Sequence, residues 1–390
     1  MISVDEALEQ LFGLVTPMRA ESVPLDHAAG RVMIRPASAL RDQPPFDASA
    51  MDGYAVQTTN VTTGAKLKVI GESAAGHSFN GALQPNECVR IFTGAPVPNG
   101  ADRIIIQEDV TRDGDEITLG DTLDAGPYIR AKGSDFAIGG KIDAPRRLRA
   151  SDIALLASMN VAQVTASRKP RIALISTGDE LVLPGETPGP DQIIASNTYG
   201  LKAMLEAEGA EARILPIARD NAPSLTAAFK LAKDSDMIIT IGGASVGDHD
   251  LVADVAETMG LRQAFYKIRM RPGKPLMAGK MGDVPMVGLP GNPVSALVCG
   301  KVFLVPMIRI MLGFPGSAAP RLRASLARDI SKNGPREHYM RAVVDDGRIA
   351  PADRQDSSLL TVLATSNALM IRPPDDSPRK AGEIMEYLPL

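Results

Sequence analysis

The central part of the chain alternates continuous apolar runs with segments whose apolar residues recur at helical spacing. The runs predict strands at 172–175, 212–217, 237–241, 263–268 and 284–288, and the periodic segments predict helices at 196–208, 223–234 and 251–259. This order predicts a parallel α/β sheet covered by helices on both faces. Ligands of such sheets bind beyond the carboxyl ends of the strands, where the loops 176–181, 242–250 and 288–293 fall.

The flanking parts of the chain have different patterns. Residues 3–18 predict a helix with one apolar face, whereas residues 22–168 are rich in Gly, Pro and Asp and contain short β-like runs. Residues 152–159 predict a short helix. Beyond residue 316 the chain is polar and strand-like. The predicted fold class is therefore multidomain, with a parallel α/β domain between an N-terminal α+β region and a small C-terminal β domain.

Composition and charge exclude several classes of function. A net charge of −4 provides no basic field for nucleic acid, and the N-terminus lacks a basic-then-apolar signal. The longest apolar run, 293–312, contains Lys301 and Arg309, so it suits a buried helix better than a membrane span. Cys88 and Cys299 lie in no C-x-x-C motif and predict inert core thiols. We expect a cytoplasmic protein that binds neither nucleic acid nor membrane.

The loop that begins at Gly242 carries the most informative residues. It reads Gly-Gly-Ala-Ser-Val-Gly-Asp-His-Asp between a predicted strand and a predicted helix, and it includes Gly243 and Ser245. Such a loop turns backbone N–H groups and a helix N-terminus toward one point, where an anion can bind. Asp248 and Asp250 fit there if they hold a metal that the anion also touches. The alternative is that one of them only caps the helix.

The loop after the first strand of the α/β region combines hydroxyls, a glycine and acids. It contains Ser176, Thr177, Gly178 and Glu180. Hydroxyls and backbone N–H groups can bind phosphate, while the acids can hold a hard cation or hydrogen-bond a polar ring. An ordinary polar loop is an equally good interpretation of this segment by itself.

Four cations lie in a short segment that proline and glycine frame. They are Lys267, Arg269, Arg271 and Lys274. Because Pro272 fixes the backbone, the segment predicts a positive cradle for a di- or trianion. A basic surface turn is the alternative. The turn that follows contains Pro290 and Pro293. Helix capping explains its residues, and the alternative is that the turn forms the floor of a pocket.

Two turns in the N-terminal region, at Asp52 and Thr93, are ordinary turns on physical grounds alone. The combination of motifs is more specific: Asp-Ala-Ser-Ala-Met-Asp-Gly-Tyr-Ala-Val, Thr-Gly-Ala-Pro-Val-Pro, Ser-Thr-Gly-Asp-Glu-Leu, Gly-Gly-Ala-Ser-Val-Gly-Asp-His-Asp, Arg-Pro-Gly-Lys-Pro and Gly-Leu-Pro-Gly-Asn-Pro-Val-Ser-Ala occur in that order. The chain thereby resembles the MoeA family, the molybdopterin molybdenumtransferases, which are related to the E-domains of gephyrin and its plant counterpart. The resemblance covers essentially the whole chain.

The resemblance implies an elongated homodimer of four-domain subunits. Its cleft would lie between the α/β domain of one subunit and the N-terminal region of the other. The implied reaction is magnesium-dependent insertion of molybdate into adenylylated molybdopterin, with release of AMP and molybdenum cofactor. The implied domains are 1–46 with 134–169, 47–133, a MogA-like molybdopterin-binding domain at 170–314, and 315–390. A molybdopterin adenylyltransferase and molybdoenzyme chaperones are implied partners.

Site residues follow from the resemblance, motif by motif. The implied catalytic residues are Asp52, Thr93, Asp135, Glu180, Asp220 and Asp250. The implied residues for pterin-nucleotide and oxyanion binding are Ser176, Thr177, Gly178, Gly242, Gly243, Ser245, Lys267, Arg271, Lys274, Pro290, Pro293 and Arg341. Of these, Arg271 and Lys274 would bind the incoming oxyanion, with Arg341 as a secondary candidate. Asp248 and Asp250 are the implied Mg²⁺ ligands. Arg271 stands where many members have lysine. The arginine keeps the positive charge but replaces a compact ammonium group by a planar guanidinium with several N–H donors.

Two other functions remain open from the sequence. A molybdopterin adenylyltransferase would share the α/β domain, but the long N-terminal segment with Asp52 and the C-terminal β domain argue against it. A non-catalytic molybdopterin-binding or scaffold protein would keep the fold and the dimer. Retention of nearly every charged motif position argues against that function. The sequence does not distinguish molybdenum from tungsten.

Overall fold

The structure is a computed structural model that describes residues 1–242 and 251–390. Its contacts divide the chain into two compact units, Met1–Glu21 with Ser167–Leu390, and Ser22–Ala166. This division is coarser than the four expected domains, which stay a prediction. Cys88 and Cys299 are buried and free, and burial raises the pKa of both thiols.

The N-terminal helix α1 spans Val4–Leu14 and buries Val4, Ala7, Leu8 and Leu11. It begins with a capping box, in which the Ser3 backbone N–H donates to Glu6 Oε2 at 2.7 Å and the Glu6 N–H donates to Ser3 Oγ at 3.1 Å. The helix ends four residues before the predicted end because Val15 is extended. Apolar spacing alone does not reveal this stop.

The unit Ser22–Ala166 is built from short strands and one α-helix in the described chain. The elements are β1 Ala20–Pro24, β2 Val32–Met33, β3 Ala37–Ser38, β4 Ala48–Ser49, β5 Gly53–Val56, β6 Lys66–Ser73, β7 Glu87–Ile91, β8 Arg103–Ile106, β9 Val110–Asp113, β10 Glu116–Leu119, β11 Ile129–Arg130, β12 Lys141–Ile142, β13 Arg146–Arg147, α2 Ala150–Ser158 and β14 Gln163–Ser167. One sheet has the order β1-β14-β2-β13 and another β8-β5-β7-β6-β10-β9. The predicted β character and the helix near 152–159 are confirmed.

The α/β region follows. Its elements are β15 Arg171–Ser176, β16 Leu181–Val182, β17 Ile193–Ile194, α3 Asn197–Ala207, β18 Glu211–Ile214, α4 Ala222–Leu231, β19 Met237–Ile241, α5 Leu251–Thr258, β20 Leu261–Lys267, β21 Met270–Arg271, β22 Pro275–Met281, β23 Val284–Leu289, α6 Pro293–Cys299 and α7 Val305–Met311. The sheet order is β18-β15-β19-β23-β22-β20.

The first four strands of this sheet run parallel, as the apolar runs predict. The last two, β22 and β20, add antiparallel pairs at one edge. Strand β22 was not predicted, because it begins inside the segment framed by proline and glycine and carries Gly279 and Lys280. Parallel β15, β19 and β23 have their carboxyl ends at the same edge of the sheet.

The apolar run near residue 300 forms α6, a π-helical turn at Gly300–Leu304, and α7. Within the described part of the chain, Pro293–Met311 has the length and composition to cross a membrane, but 78% of its most apolar window is buried inside the protein. This burial is what a core helix shows.

The C-terminal elements are β24 Leu322–Leu326, β25 Glu337–Asp345, β26 Arg348–Pro351, α8 Leu360–Ala364, β27 Ala368–Arg372 and β28 Ile384–Pro389. The strands pair in the order β25-β26-β24-β28-β27, and β27 pairs back onto β25, so the sheet closes into a small barrel. The short strand β21 joins β25 in parallel, with Arg271 opposite His338. The basic segment is therefore attached to the barrel.

Candidate functional site

A cavity of about 640 Å³ opens at the carboxyl ends of β15, β19 and β23. Its lining includes eight of the predicted site residues, namely Ser176, Thr177, Gly178, Glu180, Asp220, Gly242, Pro290 and Pro293. The cavity has the size of ligand sites in enzymes and lies where parallel sheets bind ligands.

Backbone hydrogen bonds bring two of the loops together. The Thr177 N–H donates to the Ile241 carbonyl at 3.0 Å, and the Gly242 N–H donates to the Leu289 carbonyl at 3.2 Å. Gly242 has φ +97°, and a Cβ there would stand 2.6 Å from the Thr177 carbonyl oxygen. Glycine is required at this position because any side chain would separate the strand ends.

The cavity presents polar groups that lack partners in the described structure. Thr177 is 3% exposed, and its Oγ1 has no hydrogen-bond partner among the described residues. The carboxylates of Glu180 and Asp220 likewise form no hydrogen bond or ion pair within residues 1–242 and 251–390. A buried hydroxyl without a partner is costly, so Thr177 favours a polar ligand, whereas the carboxylates of Glu180 and Asp220 are exposed.

Arg219 stabilises the conformation of the loop after β15, which carries Asp179 and Glu180. Its Nη1 donates to the carbonyls of Asp179 at 2.9 Å and Leu181 at 3.2 Å. The Asp220 backbone N–H donates to Asp179 Oδ1 at 3.2 Å. These bonds fix the backbone that carries Glu180 and Asp220 and leave both carboxylates available.

The C-terminal region also contributes to the cavity, which the sequence analysis missed. Ser358 is part of the lining. Asn292 Nδ2 donates to Ser357 Oγ at 3.2 Å, and the Val294 N–H donates to the Ser357 carbonyl at 3.1 Å. The polar run Arg-Gln-Asp-Ser-Ser at 354–358 was the available signal, but only the fold brings it beside Asn292.

A second cavity of about 400 Å³ is lined by Arg271, His338, Gln355 and Arg372, among others. The chain segments around Arg271 and Gln355 also supply Pro275 and Ser358 to the first cavity. Two short segments therefore contribute to both spaces.

Arg341 is fully buried and belongs to β25, the strand that also carries His338. Its Nη2 donates to the carbonyls of Arg354 at 3.3 Å and Asp356 at 3.0 Å, whereas Nε and Nη1 have no partner in the described chain. Burial and the positive charge of Arg271 lower the pKa of Arg341. The unpaired N–H groups of Arg341 and the repulsion from Arg271 favour an anion near these residues, although Arg341 itself lines neither cavity.

His338 is 6% exposed, and its Nε2 has no partner among the described residues. Burial, followed by the positive charges of Arg271, Arg341, Arg372 and Arg336, lowers the pKa of His338 to about 3. The imidazole is therefore neutral at physiological pH.

Lys274 and Lys267, the other two cations among the predicted site residues, do not line the cavity that contains Arg271. Lys274 lines a cleft of about 560 Å³ with Arg269 and Arg336. Lys267 places its Nζ over the Tyr266 ring, 5.1 Å from the centroid. Gly273 has φ +111°, and a Cβ there would stand 2.4 Å from Cys299 Sγ, so the segment packs closely on α6.

Three predicted catalytic residues belong to the unit Ser22–Ala166. Thr93 donates to Asp52 Oδ1 through its backbone N–H at 2.7 Å and its Oγ1 at 2.8 Å. These bonds lower the pKa of the Asp52 carboxyl, and the charge of Arg90 adds to the effect. Asp135 is exposed, and its backbone N–H donates to the Gln43 carbonyl at 2.9 Å.

The remaining predicted residues, Gly243, Ser245, Asp248 and Asp250, lie outside the described residues. In the rest of the chain, no group of three or more His, Cys, Asp or Glu side chains is arranged to hold a metal ion.

The chain matches three family profiles. They are the MoeA N-terminal region (domain I and II) at residues 2–160, a probable molybdopterin binding domain at 173–310, and the MoeA C-terminal region (domain IV) at 323–390. Together they cover the regions that carry the quoted motifs.

Relatives and solved structures agree with these profiles. The chain is 34% identical to the molybdopterin molybdenumtransferase of Nostoc sp., over 96% of this chain and 90% of the relative. It is 33% identical to the enzyme of that name from Haemophilus influenzae, over 100% and 98%. A crystal structure of the molybdopterin biosynthesis MoeA protein from Pyrococcus horikoshii superposes with a TM-score of 0.84 at 30% identity, covering 100% of this chain and 99% of that one. The chain belongs to the MoeA family of molybdopterin molybdenumtransferases.

Proposed function

We propose that this protein inserts molybdate into adenylylated molybdopterin and releases AMP and molybdenum cofactor. The observation that carries the proposal is the pair Arg271 and Arg341. Arg341 is buried with two unpaired N–H donors, and the charge of Arg271 lowers its pKa, so a dianion bound at Arg271 would stabilise the charge of both residues. The relatives' shared name and the polar cavity beside this pair support the same reaction.

The larger cavity is the proposed site of the pterin nucleotide. The unpaired Thr177 hydroxyl and the first backbone N–H groups of α3 offer donors to a phosphate. Ser196 and Asn197 at the start of α3 belong to the cavity lining. Glu180 supplies an acceptor for the ring N–H groups of the ligand.

Arg271 and Arg341 are the proposed oxyanion site, and neutral His338 lies next to them. The planar fork of Arg271, which lines the second cavity, suits two oxygens of a tetrahedral dianion. Lys274 and Lys267 add positive charge to the region, which draws anions toward the cavities. The site thus collects negative charge without repulsion between the two substrates.

Mg²⁺ fits the carboxylates at this edge of the sheet. Asp248 and Asp250 are the proposed ligands, and Asp220, whose carboxylate has no partner among the described residues, offers a further oxygen of the type that Mg²⁺ prefers. When bound, the ion neutralises phosphate charge and polarises the bond to the leaving AMP. The protein's own part is to orient both substrates and keep their charges apart.

We also propose a cytoplasmic homodimer in which Asp52, Thr93 and Asp135 serve the site of the partner subunit. The support is chemical. The Asp52 carboxylate is held ionised by Thr93, and its Oδ2 forms no hydrogen bond with a described residue. A molybdopterin adenylyltransferase that supplies the adenylylated substrate and chaperones that receive the product are proposed partners.

The deciding experiment incubates the purified protein with adenylylated molybdopterin, Mg²⁺ and molybdate. The expected result is release of AMP that requires molybdate, together with a product that activates an apo-molybdoenzyme. Formation of adenylylated pterin from ATP and molybdopterin would instead identify an adenylyltransferase. Tight binding without AMP release would identify a scaffold.

A further inference from the structure

The two-strand ribbon β16–β17 exposes large apolar side chains beside the larger cavity. Ile193 is 58% exposed and Ile194 is 38% exposed, and Leu183, directly after β16, is 41% exposed. Exposed apolar residues that cluster beside a cavity are typical of a ligand-binding groove. Ile193 and Ile194 belong to the cavity lining, whereas Leu183 does not.

The pairing of the ribbon decides which residues line the cavity from both strands. The strands pair in parallel, with Leu181 opposite Ile193 and Val182 opposite Ile194. Side chains opposite each other share a face, and successive ones alternate. Leu181 and Ile193 both line the cavity, whereas Val182 is buried at 8% exposure and does not. Ile194, opposite Val182, also belongs to the lining, but only the pair Leu181 and Ile193 lines the cavity from both strands of the ribbon.

This pair is held in place by the same loop that carries the acids. The Ile193 N–H donates to the Glu180 carbonyl at 2.8 Å, and the Ala195 N–H donates to the Val182 carbonyl at 2.9 Å. Arg219 Nη1 donates to the Leu181 carbonyl at 3.2 Å. The β-branched Ile193 is also stiff at χ1, so little entropy is lost when a ligand covers it.

A flat ring in the larger cavity has no aromatic side chain to stack on among the described lining residues. None of these residues is Phe, Tyr, Trp or His. A stacked ring therefore has to lie on aliphatic carbon. Leu181 directly follows Glu180, and Ile193 is bonded to the Glu180 carbonyl, so both offer aliphatic surface close to Glu180 along the backbone. The ring edge would then reach the Glu180 carboxylate.

We propose that Ile193 and Leu181 form the platform on which a flat, nitrogen-rich heterocycle of the substrate lies. The inference rests on the proposed function and adds the residues that recognise the ring. Adenine and pterin share the required chemistry, since both are flat, apolar on their faces and polar at their edges. The platform sets the preference for a ring-bearing substrate over a bare sugar phosphate.

The test measures dissociation constants for wild type, Ile193→Ala and Leu183→Ala. Leu183→Ala is the matched control, because Leu183 is similarly exposed on the same ribbon but lies outside the cavity lining. The probes are adenylylated molybdopterin, molybdopterin, AMP and ribose 5-phosphate, each without molybdate. Ile193→Ala should weaken adenylylated molybdopterin roughly tenfold, since about half of the surface of three removed carbons is covered. Ribose 5-phosphate should bind unchanged.

The single-ring probes identify which heterocycle occupies the platform. Weaker binding of AMP alone assigns the adenine, and weaker binding of molybdopterin alone assigns the pterin. Equal binding of every probe to wild type and Ile193→Ala, or an equal loss in Leu183→Ala, overturns the platform while leaving the proposed function intact. A wild type that binds no adenylylated molybdopterin overturns the proposed function itself, and the platform with it.

Discussion

Thr93 donates two hydrogen bonds to the same carboxylate oxygen of Asp52, from its backbone N–H at 2.7 Å and from its Oγ1 at 2.8 Å. Asp52 directly precedes β5 and Thr93 lies two residues after β7, its antiparallel neighbour, so the sheet itself sets the pairing. Both bonds satisfy Oδ1 and favour the ionised carboxylate, which is why the pKa of Asp52 is lowered. Asp52 thereby offers its other oxygen as a fixed negative acceptor.

The first prediction tests the Thr93 hydroxyl. Thr93→Val removes one of the two donors while keeping the backbone N–H, so the carboxylate loses its fixed orientation. We expect kcat/KM for molybdate insertion to fall roughly tenfold, with unchanged stability because Thr93 is exposed. Thr93→Ser keeps the donor and should retain activity. Equal activity of Val and Ser variants would show that the hydroxyl only serves the turn.

The second prediction tests the proposed composite sites. An Asp52→Ala subunit and a Glu180→Ala subunit are each expected to be inactive as homodimers. Mixed under conditions that exchange subunits, they should recover part of the wild-type activity, because each heterodimer contains one site free of both changes. Mixing two preparations of Asp52→Ala is the control. Proven exchange with no recovery would contradict shared sites.

The third prediction concerns the close contact of Gly273 and Cys299. Gly273→Ala places a Cβ 2.4 Å from Cys299 Sγ and adds strain at φ +111°. Gly260→Ala is the matched control, because Gly260 has φ +95° and nothing within 4 Å of an added Cβ. We expect Gly273→Ala to lose about 2 kcal/mol more free energy of unfolding than Gly260→Ala.

The same substitution should also raise the molybdate concentration needed for half-maximal rate, because Gly273 lies between Arg271 and Lys274. Urea unfolding and a molybdate titration check the two parts. Identical losses of stability in the two variants would mean that the chain relaxes around Cys299 without cost.

The fourth prediction follows from the lowered pKa of His338. Its pKa is about 3 in the folded protein, against about 6.5 when unfolded, so the unfolded chain binds the additional proton between these values. Stability must therefore fall as the pH is lowered through this window. Between pH 7 and pH 5 the wild type should lose about 2 kcal/mol more free energy of unfolding than His338→Gln. Parallel losses would show that the imidazole is protonated in the fold.

The fold was predictable where a single physical signal dominates. The run Met237–Ile241 is buried at every position and forms β19 over the predicted residues. The end of α1 was less predictable, because the stop at Val15 depends on backbone conformation rather than on apolar spacing. Strand β22 was missed since its glycine and lysine obscure the apolar pattern, and only pairing with β23 reveals it.

The candidate site divides in the same way. Glu180 and Pro290 follow strands, so their place at one sheet edge follows from the parallel topology. Ser358 could not be placed from sequence, because only the contacts of Ser357 with Asn292 and Val294 bring it to the cavity. The two unpaired groups of Arg341, Nε and Nη1, also depend on the fold, which gives only Nη2 partners at Arg354 and Asp356. Lys274 shows the converse, since sequence proximity to Arg271 does not put the two in one cavity.

The central claim is that buried Arg341, with Arg271, binds the incoming oxyanion. The most direct measurement is the rate of AMP release against molybdate concentration for wild type, Arg341→Met and Arg323→Met. Arg323 is the control, because it belongs to the same barrel and its side chain is 72% exposed. The account predicts that Arg341→Met needs at least roughly tenfold more molybdate for half-maximal rate, with an unchanged KM for the pterin nucleotide. Superimposable curves for Arg341→Met and Arg323→Met, with both variants folded, would contradict it.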